Sequence, residues 1–396
     1  MTHLCGWTSP GFEAVRQAFD KASTHEAGVG AALAVVRDGE PVVDLWMGDA
    51  RPDSPWREDT LALTWSVAKG ISSILAMVLA DRGVLDIDAP LARYWPQLRA
   101  AASPRANVAS ILDHSLGLPY VAEYEEVVSL DDPETWGHSA AIIGMLEAAP
   151  TVCETGTTHA YHSVTFGWLI AEVVRRITGD HFGEVLRREI VEPLRLDLWA
   201  GLPDEHHHRM AHLIPVRAWD RPEAIEAVNP ATIAGKVIFV GARRSIADGV
   251  RTTMNAPAFW RAEIPAIAMS ASARSLGRLY GVLALDAADD ERRLCSAATI
   301  AAHTAERYAG PDALLGNDLR LGLGFQLPTR EAPFSPNAHA FGHAGLSGAL
   351  GFADPATGIG FGYLPNKMGG ASTIDRRSKV IIDAVYSCVS ESPRAG

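Results

Sequence analysis

The chain has 396 residues, of which 47% are hydrophobic and 21% charged, and a formal net charge of −12. That acidic balance argues against nucleic acid or an anionic membrane as the main partner, and no apolar run reaches the roughly 18 residues of a membrane span. The opening "MTHLCGWTSPGFEAV" has neither a basic n-region nor an apolar h-region, so a cytoplasmic location is expected. Cys5, Cys153, Cys295 and Cys388 lie far apart without ligand spacing and read as ordinary thiols.

The elements follow in order. Pro10 to His25 has helical periodicity, with Phe12, Val15, Phe19 and Ala22 on one stripe. "GVGAALAVVRDGEPVVDLWMGDA" reads as two strands joined by Asp38-Gly39, a hairpin signal. "LTWSVAKGISSILAMVLADRG" (Leu63 to Gly83) is an apolar helix with Val67, Ile71, Ile74, Leu75, Val78 and Leu79 at helical spacing and Gly83 as its stop. From Asp86 to about Ile300 most segments read as helix or loop. "RLGLGFQL" and "HAGLSGALGFADPATGIGFGYLPN" then read as strands, the last two joined over Asp354-Pro355. "TIDRRSKVIIDAVYSCVS" closes the chain as a helix with Val380, Ile381, Val385 and Cys388 inward. Short turns between successive strands predict a mostly antiparallel sheet. The expectation is an α/β (α+β) fold in which residues 1–85 and 300–396 build a sheet lobe flanked by terminal helices. Residues 86–299 form an inserted, mainly helical lobe, with the active site between the two.

Ser66 and Lys69 stand three apart at the head of the apolar helix, a spacing that puts both side chains on one face. A serine hydroxyl is a poor nucleophile until a base takes its proton, and a partly desolvated lysine can do so. The helix N-terminus adds a backbone N–H for a developing oxyanion. With 24 serines and five lysines, chance alone gives about 0.3 such matches per chain. The competing reading is a serine N-cap with a solvated lysine one turn on. Two details favour chemistry: 30 of the 35 basic residues are arginine, which cannot act as a base, and Lys69 sits among Val67, Ala68 and Ile71.

"ETGTTHAYHSVTFGWLIAEVVRRITG" places Tyr161 just ahead of a second apolar helix. Near a lysine, its phenol is expected to serve as base or proton shuttle, the alternative being a buried, hydrogen-bonded aromatic. "FGHAGLSGALGF" has small residues all round His343, as a strand that admits a substrate requires, and the Leu346 N–H is a candidate second oxyanion donor. "DHSLGLP" (Asp113 to Pro119) reads as a structural turn. Trp65, Tyr120, Tyr124 and Trp136 are candidate walls of the acyl pocket.

Together these segments resemble the serine β-lactamase and penicillin-binding-protein superfamily, most closely class C β-lactamases and the related family VIII carboxylesterases. The resemblance runs through "SVAKG", "ILDHSLGLPY", "YHSVTFGWLIAEVVRRITG", "EIVEPLRLDLWAGLP" and "FGHAGLSGALGFADPATGIGFGY". It implies Ser66 as nucleophile, Lys69 as base and Tyr161 as the tyrosine of the family's Tyr-x-Asn motif. The family's Lys-Thr-Gly strand falls on His343-Ala344-Gly345. Ser163 stands where the family has asparagine and His343 where it has lysine, departures that weaken the grip on a β-lactam and point to esters. The implied activity is a serine hydrolase acting on a small-molecule ester or acyl donor, with no cofactor or metal. An acyltransferase or amide synthase using the same acyl-enzyme, and a catalytically silent binding protein, remain open.

Two other sites are set aside. No G-x-S-x-G occurs, which removes the α/β-hydrolase nucleophile elbow. His208 and His212 in "EHHHRMAH" have i,i+4 spacing but no nearby third ligand, so a solvated helix face is the better reading. "NPATIAGKVIFVGARRSIADG" (Asn229 to Gly249) is read as a substrate-shaping segment.

Overall fold

The computed structural model describes residues 4–23, 28–122, 124–216, 232–238, 246–285, 293–369 and 374–391. Within the Asn229–Gly249 segment, residues 229–231 and 239–245 lie outside the described residues.

Strands β2 (Gly30–Arg37) and β3 (Glu40–Arg51) form the expected hairpin. Its turn places Asp38 and Gly39 at φ of 52° and 81°, the left-handed pair that matches strand twist. Strand β1 (Cys5–Thr8) adds antiparallel to β3, and the short β4 (Ser54–Pro55) pairs with the end of β3. Near the other end of the chain, β10 (Phe341–Ala344), β11 (Leu350–Asp354) and β12 (Ile359–Pro365) form a meander. The two ends then meet: β12 pairs antiparallel with β2, Phe361 opposite Val35. The resulting order is β1-β3-β2-β12-β11-β10. "GAALAVV" is apolar on both faces because β2 is covered on both.

One cover is a pair of terminal helices, α1 (Glu13–Ala22) and α7 (Arg376–Glu391), whose Val15, Phe19, Ile381 and Val385 pack with Leu33, Phe352 and Phe361. On α7 the buried stripe takes Ile382 and Val389 rather than Val380, which is half-buried.

The other cover is α6 (Ala273–Leu283). Its sequence position had put it in the helical lobe, yet it lies along β2, β11 and β12. Four glycines explain why. A Cβ on Gly360 would sit 2.1 Å from the Gly281 nitrogen, and one on Gly362 would sit 2.6 Å from the Gly277 nitrogen. The helix and the strand therefore touch backbone to backbone, a contact that sequence periodicity does not report.

Between α6 and the helical lobe runs α2 (Val67–Asp81), buried at every position from Val67 to Leu79. A helix apolar all round is a core element. Further out stand α3 (Val108–Leu112), α4 (Ser139–Ala148) and α5 (Thr165–Thr178), the last closed by Gly179 at φ 82°. A small three-stranded sheet ties α2 to this lobe: β5 (Ala62–Leu63) and β6 (Leu198–Ala200) both pair with β7 (Met269–Ala271). The hairpin of β8 (Tyr308–Pro311) and β9 (Asp318–Leu321) completes the description. Beyond Leu321 "GLGFQL" leaves regular strand geometry, with only Gln326 bridging to Gly342.

Replacing Gly360 with alanine forces α6 off the sheet. Gly360→Ala is expected to destabilise the fold by about 1–3 kcal/mol, typical of overpacking, read as a lowered thermal midpoint by circular dichroism.

Candidate active site

The chain turns out of β5 into α2 through Thr64, Trp65 and Ser66. Thr64 is pinned by both its N–H and its hydroxyl to the Met269 carbonyl, at 2.9 and 3.0 Å. Trp65 then takes φ 51°, a left-handed conformation that costs energy in a non-glycine residue and clusters at functional sites. Ser66 follows at the N-cap position, but its hydroxyl caps nothing. It instead accepts a hydrogen bond from the Lys69 Nζ at 3.2 Å. The serine is thus free for chemistry, against the capping alternative.

Lys69 is fully buried and donates its other hydrogen bond to the Ala266 carbonyl at 3.2 Å. Among the described residues no carboxylate stands beside it, and burial drives its pKa well below the usual lysine range. Sequence reading missed Ala266, which lies in the undistinguished loop "AEIPAIA". Two small residues bring that loop in. The Ser72 hydroxyl of α2 donates to the Pro265 carbonyl at 2.6 Å. Gly167 of α5 gives the room, since a Cβ there would lie 2.7 Å from the Ala266 nitrogen.

Tyr161 lies on the loop ahead of α5 and lines the same cavity as Ser66. Its ring sits 4.8 Å from the Lys69 Nζ. Burial raises the phenol pKa, outweighing the neighbouring Ser66 side chain that lowers it, so the resting group is a neutral phenol rather than the phenolate a lysine ammonium would have favoured. The loop is rigidly held. The N–H groups of Ala160, Tyr161 and His162 donate in turn to the His114 carbonyl (3.0 Å), the Asp312 Oδ2 (2.6 Å) and the His114 Nδ1 (3.1 Å). The turn "DHSLGLP" therefore does more than reverse the chain: His114, at φ 63°, also packs its ring 4.8 Å from that of Tyr161. Asp312, buried, accepts from Leu314 and Leu315 as well. In sequence both residues carried only turn signals.

Three imidazoles surround this group, and burial is the first cause of each lowered pKa. His162 falls to about 4 and His343 to about 3, the Lys69 charge adding to both, while His114 is lowered well below its ordinary value. Their hydrogen bonds are those of neutral rings: His343 donates Nδ1–H to the Ala344 carbonyl at 2.7 Å, and the His162 Nε2 accepts from Leu118 at 2.9 Å.

The cavity over Ser66 has a volume of about 110 Å³. Trp65, Trp136, Tyr161, Ser163 and Leu346 line it as expected, joined by Leu130, Val164, Met254, Ile267, Leu315, Asn317, Leu319, Gln326 and Ala344. Among the described residues neither the Ser66 nor the Leu346 N–H has an acceptor, which leaves both available to an oxyanion. Other expected wall residues stand elsewhere. His343 is buried against α2, where a Cβ on Gly70 would meet its Cβ at 3.4 Å. Gly345 lets the strand approach the nucleophile turn: a Cβ there would be 2.9 Å from the Thr64 carbonyl oxygen. Tyr120 lies under Lys236, 5.8 Å from ring to ammonium, and the Tyr124 hydroxyl reaches the Lys236 carbonyl. His208 is on the 3-10 turn Asp204–Arg209 and His212 beyond its end, so no helix face joins them. Among the described residues no group of three His, Cys, Asp or Glu side chains is placed to hold a metal.

A larger cleft of about 880 Å³ lies behind α6, without Ser66, Lys69 or Tyr161. Its best-placed arginine, Arg274, is already paired with Asp44 at 2.5 Å and Glu58 at 3.0 Å.

The chain and its fold match known proteins over nearly their whole length. The family model described as Beta-lactamase matches residues 15–386. The chain belongs to the beta-lactamase family. It is 32% identical over 373 residues to the Esterase/beta-lactamase LipL of Mycobacterium tuberculosis, covering 92% of this chain and 83% of that protein. Among solved structures, a penicillin-binding-protein homolog from Caulobacter crescentus superposes with a TM-score of 0.83 at 34% identity, over 98% of this chain and 100% of the other. A family VIII carboxylesterase superposes at 0.80 with 32% identity and the same coverage. No helix among the described residues is long and apolar enough to cross a membrane.

The buried histidines tie stability to pH. Between pH 6.5 and their folded pKa values of about 4 and 3, His162 and His343 bind protons only when the chain unfolds. Stability is therefore full above pH 6.5 and falls as the pH drops, by up to about 1.4 kcal/mol per pH unit for each ring. Urea unfolding between pH 4 and 7 checks this, and His343→Gln is expected to flatten the slope.

Proposed function

We propose that this member of the family cleaves uncharged carboxylic esters of small molecules through an acyl-Ser66 intermediate. One observation carries the reading: a fully buried Lys69, without a carboxylate partner, has its Nζ 3.2 Å from the Ser66 Oγ. A lysine whose ammonium is disfavoured by desolvation is an amine able to take a proton at neutral pH.

Lys69 takes the Ser66 proton as Oγ attacks the ester carbonyl. The negative charge gathers on the carbonyl oxygen, held by the N–H groups of Ser66 and Leu346. Tyr161, which lines the same cavity as Ser66, gives its phenolic proton to the departing alkoxide and regains one from the Lys69 ammonium. The acyl-enzyme forms with the alcohol released and both groups back in their resting states. Water enters by the same sequence in reverse, losing its proton to Tyr161 and on to Lys69 while the Ser66 oxygen leaves.

Esters are preferred to anionic substrates because the described residues of the cavity wall include no arginine or lysine. At the position where the family strand has a lysine, this chain has an imidazole held neutral, which offers a carboxylate no counter-charge. The esterase names among the relatives support the same reading.

Intact-mass spectrometry after brief mixing with p-nitrophenyl butyrate tests it. A butyryl adduct is expected on the unaltered protein and not on Ser66→Ala, and added alcohols or amines would reveal transfer by intercepting the adduct. Folded protein that neither acylates nor releases nitrophenol would overturn the proposal. Lys69→Arg, whose guanidinium keeps its proton, is expected to lose at least about 10³-fold in kcat, on the scale of removing a general base. Tyr161→Phe is expected to lose about 10²-fold or more, less for good leaving groups than for alkyl esters, because nitrophenolate departs without protonation.

A further inference from the structure

We propose that the sheet-side wall of the cavity is a subsite for a second, uncharged carbonyl oxygen of the substrate, bound by the side-chain amides of Gln326 and Asn317. The inference rests on the ester-cleaving reading above and names the class of ester.

Gln326 is laid against the outer edge of β10 by its backbone, donating to the Gly342 carbonyl at 2.8 Å and accepting from the Gly342 N–H at 3.0 Å. Its Oε1 accepts the Ala344 N–H at 2.9 Å. That bond fixes which end of the amide is which: an N–H needs an oxygen, so the Nε2 end is the one left over. Among the described residues nothing accepts from Nε2, and Gln326 lines the same cavity as Ser66 and Leu346. Asn317 is positioned independently. Its backbone carbonyl accepts the Asp312 N–H at 2.8 Å, and its side-chain amide, on the cavity wall, has no partner among the described residues.

Two half-buried amides without partners among the described residues, both lining this cavity, are donors waiting for an oxygen. The residues that the helical lobe adds to the lining include the apolar Leu130, Trp136 and Met254. An ester that fills the cavity thus sets hydrocarbon against these side chains and an oxygen against the two amides. That oxygen is a carbonyl rather than a carboxylate, since no cation among the described lining residues offsets the lost hydration of a charge. Keto esters, diesters and N-acylamino esters share this chemistry.

A purely structural Gln326 would only cap Ala344. Gln326→Glu separates the two roles, because one carboxylate oxygen still accepts the Ala344 N–H while the amide donors are gone. Dissociation constants are to be measured by NMR titration in the Ser66→Ala background, with ethyl 4-oxopentanoate and 2-oxopropyl butanoate each compared with ethyl pentanoate. Gln326→Glu is expected to weaken at least one keto ester relative to ethyl pentanoate by about five- to tenfold, the worth of one hydrogen bond. An unmoved ratio for both keto esters would overturn the subsite. Acylation of the Ser66-intact protein by p-nitrophenyl butyrate reports separately on the ester reading. Acylation with an unmoved ratio sinks the subsite alone. A moved ratio without acylation sinks the ester chemistry and keeps the carbonyl subsite.

Discussion

Everything at this site follows from keeping one amine dry. Lys69 is fully buried with two hydrogen-bond acceptors, the Ser66 hydroxyl and the Ala266 carbonyl, and no carboxylate. A buried ammonium would be expensive there, so the group is driven toward the neutral form that can act as a base. Dryness has to be built, and the means are visible in the packing. The helix carrying Lys69 is apolar on every face. Gly70, Gly167 and Gly345 each permit an approach that a Cβ would block, bringing in Tyr280 of α6, the Ala266 loop and the strand beyond His343. A single carboxylate beside Lys69 would restore the ammonium and silence the base.

The same dryness sets the protonation of the neighbours. Tyr161 is held as a phenol and three imidazoles are held neutral, so the resting site is a relay of uncharged groups. In the proposed reaction, charge arises only as Ser66 attacks and is met by backbone N–H dipoles fixed in advance. A site of that kind has little to offer an anionic substrate. This links the exchange of lysine for His343, met first as a departure in a motif, to the choice of substrate.

Much of this was legible in the sequence, and what was missed has common causes. Ser66, Lys69 and Tyr161, which the structure brings together around one cavity and one buried amine, were legible because particular side-chain types at particular spacing mark them in the sequence. The meander after His343 and the terminal helices were found from periods of 2 and 3.6. Ala266 escaped because it acts through its carbonyl, which every residue has. Asp312 escaped because its partners, Tyr161, Leu314 and Leu315, are backbone N–H groups, and His114 because its turn signals masked its contact with Tyr161. The placement of α6 failed for a different reason: periodicity marks a helix but not its neighbour, and Gly277 and Gly281 are the surface on which Gly360 and Gly362 seat it. His343 was placed on the cavity wall because the motif marks it, but an imidazole there faces α2.

The acid and the cavity wall are also mechanically one unit. Asp312 holds the Tyr161 N–H with one oxygen and the Leu314 and Leu315 N–H groups with the other. From Leu315 the chain passes through Asn317 and Leu319 on the cavity wall to Gln326, which fastens onto β10 at Gly342 and Ala344. Two residues further on, Leu346 has an N–H without an acceptor among the described residues, the one proposed for the oxyanion. The tyrosine proposed to protonate the leaving group lies ahead of α5 and the strand carrying the proposed oxyanion donor belongs to the sheet, and Asp312 is where the two are tied. Its charge is buried and satisfied entirely by backbone donors, so it can hold that junction without adding a counter-ion that would recharge Lys69. Shifting the wall to fit a new substrate would therefore also move Tyr161, which makes specificity and proton transfer hard to change independently in this chain.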